Sequence, residues 1–208
     1  MDFLQVIEKR HSVRKYSDRP VEKEVLDAIV KVAQTAPSSR NSKSSAFMIV
    51  EDRDTLDALS QMRDYGSALL TGAQAAIVVM GDESKTDLWV DNCAISATFI
   101  QLAVTAMDLV SCWVHINGRP CKRIEPDGAK AEDYVRNLLG IKEGMRPYCV
   151  IAIGYPVEEE KIIITKYERK TRGPYGRNRC LVMQDRAGDR AGSCAPSRKE
   201  GRDHCPFR

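Results

Sequence analysis

The stretch DLWVDNCAISATFIQLAVTAMDLVSCWVHI, residues 87–116, does most to define the fold. Its first part, residues 87–108, is long, mostly apolar and rich in small side chains, and it predicts a helix of about six turns. The small side chains allow that helix to pack closely against other helices. Residues 110–116, VSCWVHI, predict a core strand. This unit therefore predicts a domain that mixes helices and strands.

Apolar periodicity on both sides of this unit predicts further elements. Helices are expected at 2–10, 22–35, 53–64, 66–72 and 131–139. Strands are expected at 46–50, 75–80 and 148–153. The strands are well separated and do not alternate regularly with helices and Gly-rich turns. Because no GxGxxG follows a strand and no GxxxxGK[ST] occurs, neither a Rossmann dinucleotide domain nor a P-loop nucleotidase is supported.

Length and composition indicate one globular domain. The chain has 208 residues, of which 43% are apolar and 29% are charged, enough to bury a core without disulfides or metals. No apolar run approaches the roughly 18 residues that cross a bilayer. The N-terminal MDFLQVIEKR has an acid at its second position and lacks the apolar stretch of a secretory signal. We therefore expect a cytoplasmic protein without a membrane partner.

The seven cysteines form no recognisable framework. Their number is odd, no CxxC pair occurs, and only three His residues accompany them, so no zinc spacing can be assembled. Cys93, Cys112 and Cys149 lie in apolar segments and are expected to be buried, reduced thiols. No metal site is expected.

The formal net charge of +3 hides an asymmetry along the chain. Residues 1–165 hold 20 Lys and Arg against 24 Asp and Glu, whereas residues 166–208 hold 12 against 5. Beyond residue 180 the apolar periodicity disappears, and we expect 181–208 to be disordered. A basic end can bind nucleic acid, but the tail lacks interleaved aromatic residues, so a nucleic-acid partner is not expected.

Three polar motifs could carry chemistry. RHSVR at 10–14 places two guanidinium groups beside a hydroxyl and an imidazole, which suits a phosphate or an electron-rich ring edge; the alternative is a solvated basic turn. APSSRNS at 36–42 offers neutral donors and acceptors after a helix, or only turn chemistry. SCWVH at 111–115 offers a flat surface and backbone amides to a planar ligand, or only a core strand with a buried Trp.

Taken in order, these segments resemble the FMN-dependent nitroreductase family. The resemblance spans about residues 1–170 and is carried by RHSVRKY (10–16), APSSRNS (36–42), AFMIVED (46–52), AAIVVM (75–80), AISATFIQLAVTAMDL (94–109), SCWVH (111–115), NLLGI (137–141) and VIAIGYP (150–156). It implies an α+β homodimer with a largely antiparallel central sheet flanked by helices. Two FMN molecules would bind at the dimer interface, each touching both subunits.

The resemblance also implies roles for individual residues. The FMN phosphate and the pyrimidine edge of the ring would be held by Arg10, His11, Ser12 and Arg14. The isoalloxazine would be reached from the other subunit by Pro37, Ser38, Ser39 and Asn41. One ring face would be lined, with main-chain contacts near the reactive edge, by Trp113, Val114 and His115. The candidates to complete the phosphate site are Lys166, Arg169, Lys170 and Arg172.

The implied activity is a ping-pong, two-electron transfer from NAD(P)H through N5 of FMN to an electron-poor acceptor such as a nitroaromatic or a quinone. The cofactor carries the chemistry, so we nominate no catalytic side chain. The alternatives are other flavin chemistry on the same fold, namely reductive dehalogenation or flavin fragmentation, and a basic-tailed nucleic-acid-binding protein. Two features depart from the family pattern: Lys43 follows the second motif where relatives often have Gln, and residues 171–208 form an atypical extension.

Overall fold

The computed structural model of the chain describes residues 1–157. The expectations for Lys166, Arg169, Lys170 and Arg172, for the domain limit at residue 170 and for the disordered tail lie outside the described residues. The helices are α1 (Phe3–Lys9), α2 (Lys23–Gln34), α3 (Arg53–Ser60), α4 (Trp89–Ala106) and α5 (Ala131–Leu139). The strands are β1 (Ser45–Val50), β2 (Ala75–Asp82), β3 (Val110–His115) and β4 (Met145–Gly154).

The four described strands form one sheet in the order β1-β2-β4-β3, and every pair of neighbours is antiparallel. This arrangement confirms the expected antiparallel α+β fold. The two central strands, β2 and β4, are buried along almost their whole length. β1 and β3 lie at opposite edges of the sheet.

Helices cover both faces of the sheet because side chains alternate along each strand. Ile77 and Val79 of β2 pack with α2 and α4, whereas Ala76 and Val78 pack on the other face with α3 and α5. Cys93, Cys112 and Cys149 are buried in these layers, as expected, and carry free thiols. None of the helices within residues 1–157 is both long enough and apolar enough to cross a membrane.

Three of the expected helices differ from the structure by two or more residues at an end. α4 has 18 residues, about five turns and not six: it begins at Trp89, two residues later than expected, and it ends at Ala106, shortly before Asp108, which adopts a left-handed φ of 57°. α3 ends at Ser60 and not at residue 64. The helix expected at 66–72 is a 3₁₀ turn over Ala68–Gly72, since Gly66, with a φ of 79°, separates it from α3.

Candidate functional site

The RHSVR segment runs along the outer edge of β3. Ser12 forms a parallel bridge with Ser111, and the backbone N–H of Val13 donates to the Ser111 carbonyl at 3.0 Å. The Val13 side chain is buried, and the Tyr16 hydroxyl donates to the Val13 carbonyl at 2.9 Å. This anchoring leaves the polar side chains of residues 10–14 at the surface beside the strand.

The two arginines of this segment have no carboxylate partner within the described part of the chain. Among residues 1–157, the ion pairs include neither Arg10 nor Arg14. Nδ1 of His11 lies 2.8 Å from the carbonyl of Lys9, whose ammonium pairs with Asp108 at 2.7 Å. The β3 edge therefore presents two guanidinium groups that can receive an anion.

Two ring-bearing side chains of β3 lie on the face that carries α4. The rings of Trp113 and His115 stack with 6.4 Å between centroids, and each meets Tyr148 of β4 edge-on, at 5.7 and 5.2 Å. Val114 points to the opposite face and is 1% exposed. A cofactor contact from Val114 is therefore restricted to its backbone, whereas Trp113 and His115 can also offer side chains.

His115 is held in its neutral form. Burial lowers the pKa of its imidazole, and the positive charges of Arg119 and Arg63 lower it further. The indole N–H of Trp113 reaches Nδ1 of His115 at 3.4 Å, and only an unprotonated Nδ1 can accept that hydrogen bond. His115 is thus a fixed, uncharged wall of the site near neutral pH.

The Ser- and Asn-rich segment is organised by a buried side chain of α4. Asn92 is 1% exposed; its Oδ1 accepts the N–H of Ser39 at 2.8 Å. Its Nδ2 donates to the hydroxyl oxygens of Ser44, Ser42 and Ser39 at 2.9, 3.2 and 3.3 Å. This network holds an unusual backbone, in which three non-Gly residues have left-handed φ values: Arg40, Asn41 and Lys43, at 50°, 53° and 46°.

A cleft of about 320 Å³ opens beside this loop. Its lining includes three serines, Ser38, Ser45 and Ser96, together with Phe47 and Lys43. The cleft thus combines apolar walls with neutral polar groups and one cation. Lys43 therefore brings a positive charge to the position where the family pattern often has Gln.

Within one chain, the three motifs are not all brought together. The first and third motifs, residues 10–14 and 111–115, meet at the β3 edge. The second motif leads into β1, at the other edge of the sheet. Three interstrand spacings of about 4.8 Å separate the two edges by roughly 14 Å. Two half-sites therefore lie on opposite sides of the same subunit.

Three residues with structural roles at these half-sites were not found from the sequence. Asn92 holds the 38–44 loop, Arg63 donates from Nη1 to the His115 carbonyl at 2.7 Å, and Glu132 binds the start of the loop after β3. The polar Asn92 inside an apolar helix was the one available signal, because a buried amide needs partners. Arg63 and Glu132 lie in ordinary charged segments that carry no such mark.

The comparisons with known proteins agree with this architecture. A family model described as "Nitroreductase family" matches residues 7–63 and 57–155. A protein of Archaeoglobus fulgidus named as an NADH dehydrogenase/NAD(P)H nitroreductase is 34% identical over 163 residues, covering 76% of this chain and 88% of its own length. An FMN-dependent nitroreductase from Clostridium difficile R20291 superposes with a TM-score of 0.71 at 38% identity, covering 76% of this chain and 90% of that one.

A more distant relative has a different name. Iodotyrosine deiodinase from Nematostella vectensis is 27% identical over 137 residues, which is 66% of this chain and 47% of that protein. The fold and the closer matches define the class as an α+β oxidoreductase. Within that class, the chain belongs to the Nitroreductase family. The expected family and fold are thereby confirmed.

Proposed function

We propose that this chain is an FMN-dependent oxidoreductase that takes two electrons from NAD(P)H and passes them, in a ping-pong cycle, to an electron-poor acceptor such as a nitroaromatic or a quinone. Family membership supports the reaction class, and the relative named as an NAD(P)H nitroreductase supports the donor. The observation that carries the proposal is the composition of the β3 edge. The segment with Arg10 and Arg14 runs beside this strand, and neither arginine has an ion pair among the described residues. The strand itself carries Trp113 and His115.

The residues of the β3 edge fit FMN chemically. A phosphate needs forked cationic donors and hydroxyls, which Arg10, Arg14 and Ser12 supply. A flavin ring needs flat walls and hydrogen-bond donors along its edge, and the Trp113–His115 pair supplies the walls. When bound, FMN would accept a hydride from NAD(P)H and return two electrons to the acceptor.

The protein's own contribution is binding, orientation and electrostatics. A guanidinium group beside the pyrimidine edge would stabilise negative charge there, and a preorganised donor is worth more in a site from which water is excluded. Burial, followed by the charges of Arg119 and Arg63, lowers the pKa of the His115 imidazole and so favours its neutral form. Because the cofactor carries the chemistry, no described side chain is nominated as a catalytic residue.

The complete site requires a second copy of the chain. Pro37, Ser38, Ser39 and Asn41 lie at the β1 edge, too far from the β3 edge of the same subunit to share one ring with it. The short helix α1, which packs on α4, also exposes three large apolar side chains: Phe3, Leu4 and Ile7, at 68%, 71% and 44%. Such a patch supports a homodimer in which the second motif of one copy covers the FMN of the other. The cytoplasmic location and the lack of a nucleic-acid partner stay predictions.

The first test is the visible spectrum of freshly purified protein. We expect a yellow protein whose flavin absorbance is bleached by NADPH or NADH without oxygen and restored by a nitroaromatic or a quinone. A colourless protein that cannot be reconstituted with FMN would contradict the proposal. Product analysis tests the second candidate, reductive dehalogenation, which the deiodinase relative favours: release of iodide from an iodophenol would support it.

The shared site has a sharper test by subunit complementation. Arg14→Ala removes a cation from the β3 edge, and Asn41→Gly removes an amide from the β1 edge while keeping a left-handed backbone accessible. Each homodimeric variant is expected to bind FMN weakly. A mixed dimer of the two would contain one intact site, so it should bind one FMN per dimer with wild-type affinity. If the first and second motifs of the same chain form the site, mixing the two variants should not restore FMN binding.

A further inference from the structure

A second group of arginines surrounds the carboxyl end of β3. Arg63 donates from Nη1 to the His115 carbonyl at 2.7 Å, and its guanidinium carbon lies 4.1 Å from the centre of the Tyr65 ring. The guanidinium carbon of Arg123, from the loop after β3, lies 5.7 Å from the same ring. Arg119 is exposed on that loop, and its charge lowers the pKa of His115. Three cationic side chains thus lie near the carboxyl end of β3.

Most acidic side chains around this group pair with other cations: Glu132 with Arg146, Glu125 with Lys122, and Asp133 with Arg136. Asp64 differs, because its carboxylate accepts only the backbone N–H of Arg123, at 3.0 and 3.1 Å, and so keeps its negative charge. Within residues 1–157, no ion pair includes Arg63, Arg119 or Arg123. Among the described residues, the three arginines therefore outnumber the one unpaired carboxylate that contacts them.

Hydrogen bonds hold the backbone that carries these arginines. The N–H of Asp64 donates to the Cys121 carbonyl at 2.8 Å, which joins the loop after α3 to the loop after β3. The carboxylate of Glu132, 7% exposed, accepts the N–H of Gly118 at 2.8 Å and the Asn117 amide at 3.0 Å. Because their backbone is fixed, Arg119 and Arg123 lose less entropy on binding a ligand than side chains on a free loop would.

The ligand that suits this place is anionic and planar. Forked guanidinium groups match the oxygens of a carboxylate or phosphate, and the ring of Tyr65 lies 4.1 and 5.7 Å from the guanidinium carbons of Arg63 and Arg123. We propose that Arg119 and Arg123 bind the anionic group of a planar aromatic substrate, with Arg63 as the positioning residue that ties this group of arginines to β3. The inference rests on the proposed function, because the substrate would react at the adjacent β3 edge.

Two substrates of the cycle could supply that anion: an acceptor with a carboxylate, or the donor NADPH with its extra phosphate. The kinetic test compares 4-nitrobenzoate with the uncharged 4-nitrobenzamide, and NADPH with NADH, in wild type, Arg119→Gln, Arg123→Gln and the double variant. Loss of charge-assisted hydrogen bonds should raise KM about 10-fold or more for one substrate with the additional anionic group, either 4-nitrobenzoate or NADPH. The KM of its partner without that group, 4-nitrobenzamide or NADH, should change by less than about 2-fold, since that partner makes no such bond.

The matched control is Lys122→Gln, which removes one positive charge from the same loop at a side chain already paired with Glu125 at 3.2 Å. It should leave all four KM values unchanged. If the arginine variants raise KM only for 4-nitrobenzoate, the site binds the acceptor. If they raise KM only for NADPH, the site binds the donor. The inference would be overturned if KM rose equally for both members of each pair, with and without the additional anionic group, or if Lys122→Gln raised KM as much as the arginine variants do.

A binding measurement separates this inference from the proposed function. Isothermal titration of the purified protein with benzoate and benzamide needs no turnover, and the flavin content of each variant is recorded alongside. We expect wild type to prefer benzoate and the double variant to lose that preference at unchanged flavin content. A protein that prefers benzoate but holds no flavin would refute the FMN activity alone. The arginine site alone would be refuted by a wild-type protein that contains flavin but does not discriminate within any pair. The three pairs are benzoate and benzamide, NADPH and NADH, and 4-nitrobenzoate and 4-nitrobenzamide.

Discussion

Replacement of Asn92 by Ala should destabilise the protein through the loop of the second motif. The Asn92 amide is the shared partner of four groups in residues 39–44, and its loss leaves the Ser44 hydroxyl, 1% exposed, without its 2.9 Å donor. The half-buried N–H of Ser39 also loses its acceptor, at 2.8 Å. The hydroxyls of Ser39 and Ser42 are partly accessible and can turn towards water.

The size of the effect follows from these two orphaned groups. A buried polar group left without a partner costs about 1–3 kcal/mol, and a half-buried one costs about half as much. The sum is a loss of about 2–4 kcal/mol in the free energy of unfolding. For a chain of this size, 3 kcal/mol corresponds to a Tm lower by roughly 6–12 °C.

The assay is thermal and urea unfolding of Asn92→Ala at one fixed protein concentration, because association also stabilises a dimer. Asn137→Ala, at an exposed site of α5 without a side-chain hydrogen bond in the described structure, is the matched control and should change stability by about 0.5 kcal/mol or less. In a double-mutant cycle with Ser44→Ala, the two losses should overlap by at least about 0.5 kcal/mol. A Tm within 2 °C of wild type, or strictly additive losses, would refute this reasoning.

Three further outcomes are expected. Arg14→Ala should weaken FMN binding by about 1.5–3 kcal/mol, roughly 10–150-fold, in a fluorescence titration; unchanged affinity removes Arg14 from the site. A hydrogen bond from the Tyr155 hydroxyl and, as the smaller cause, one from Arg19 lower the pKa of Glu22 to about 2. This carboxylate therefore stabilises the fold above about pH 4.5, and the stabilisation is lost as the pH falls towards 2. Tyr155→Phe should flatten that part of the acid unfolding curve, and an unaltered curve contradicts the role. Gly81→Ala would place a Cβ against the Trp89 ring, and the overpacking should cost about 1–3 kcal/mol in urea unfolding.

The elements of the fold could be predicted from the sequence because their signals are local. Apolar residues at helical spacing marked α2 and α5, and short β-branched runs marked β2 and β4. The boundaries were less well predicted, since a single left-handed residue such as Asp108 ends a helix without any change in hydrophobicity. The expected burial of three cysteines was confirmed for the same local reason: they lie in apolar runs.

The candidate site was predicted only in part. RHSVR and APSSRNS drew attention by composition, and the assignment of their residues to FMN stays a prediction. Their surroundings were beyond sequence reasoning, because the partners lie far apart along the chain. Asn92 contacts a serine 53 residues earlier, and Arg63 contacts a carbonyl 52 residues later. Only the packing of α4 and the loop after α3 against the sheet creates those contacts.

By itself, the sequence determined most of the helices and strands, the α+β class and the family resemblance, because hydrophobic period and ordered motifs are properties of neighbouring residues. The tertiary structure decided the strand order β1-β2-β4-β3, and with it the edge on which each motif lies. Strand order depends on long-range burial of two sheet faces, which no local pattern specifies. That order separates the second motif from the first and third by roughly three strand spacings of about 4.8 Å. This separation within one subunit is the reason for the proposal that the two groups of residues meet across two copies of the chain.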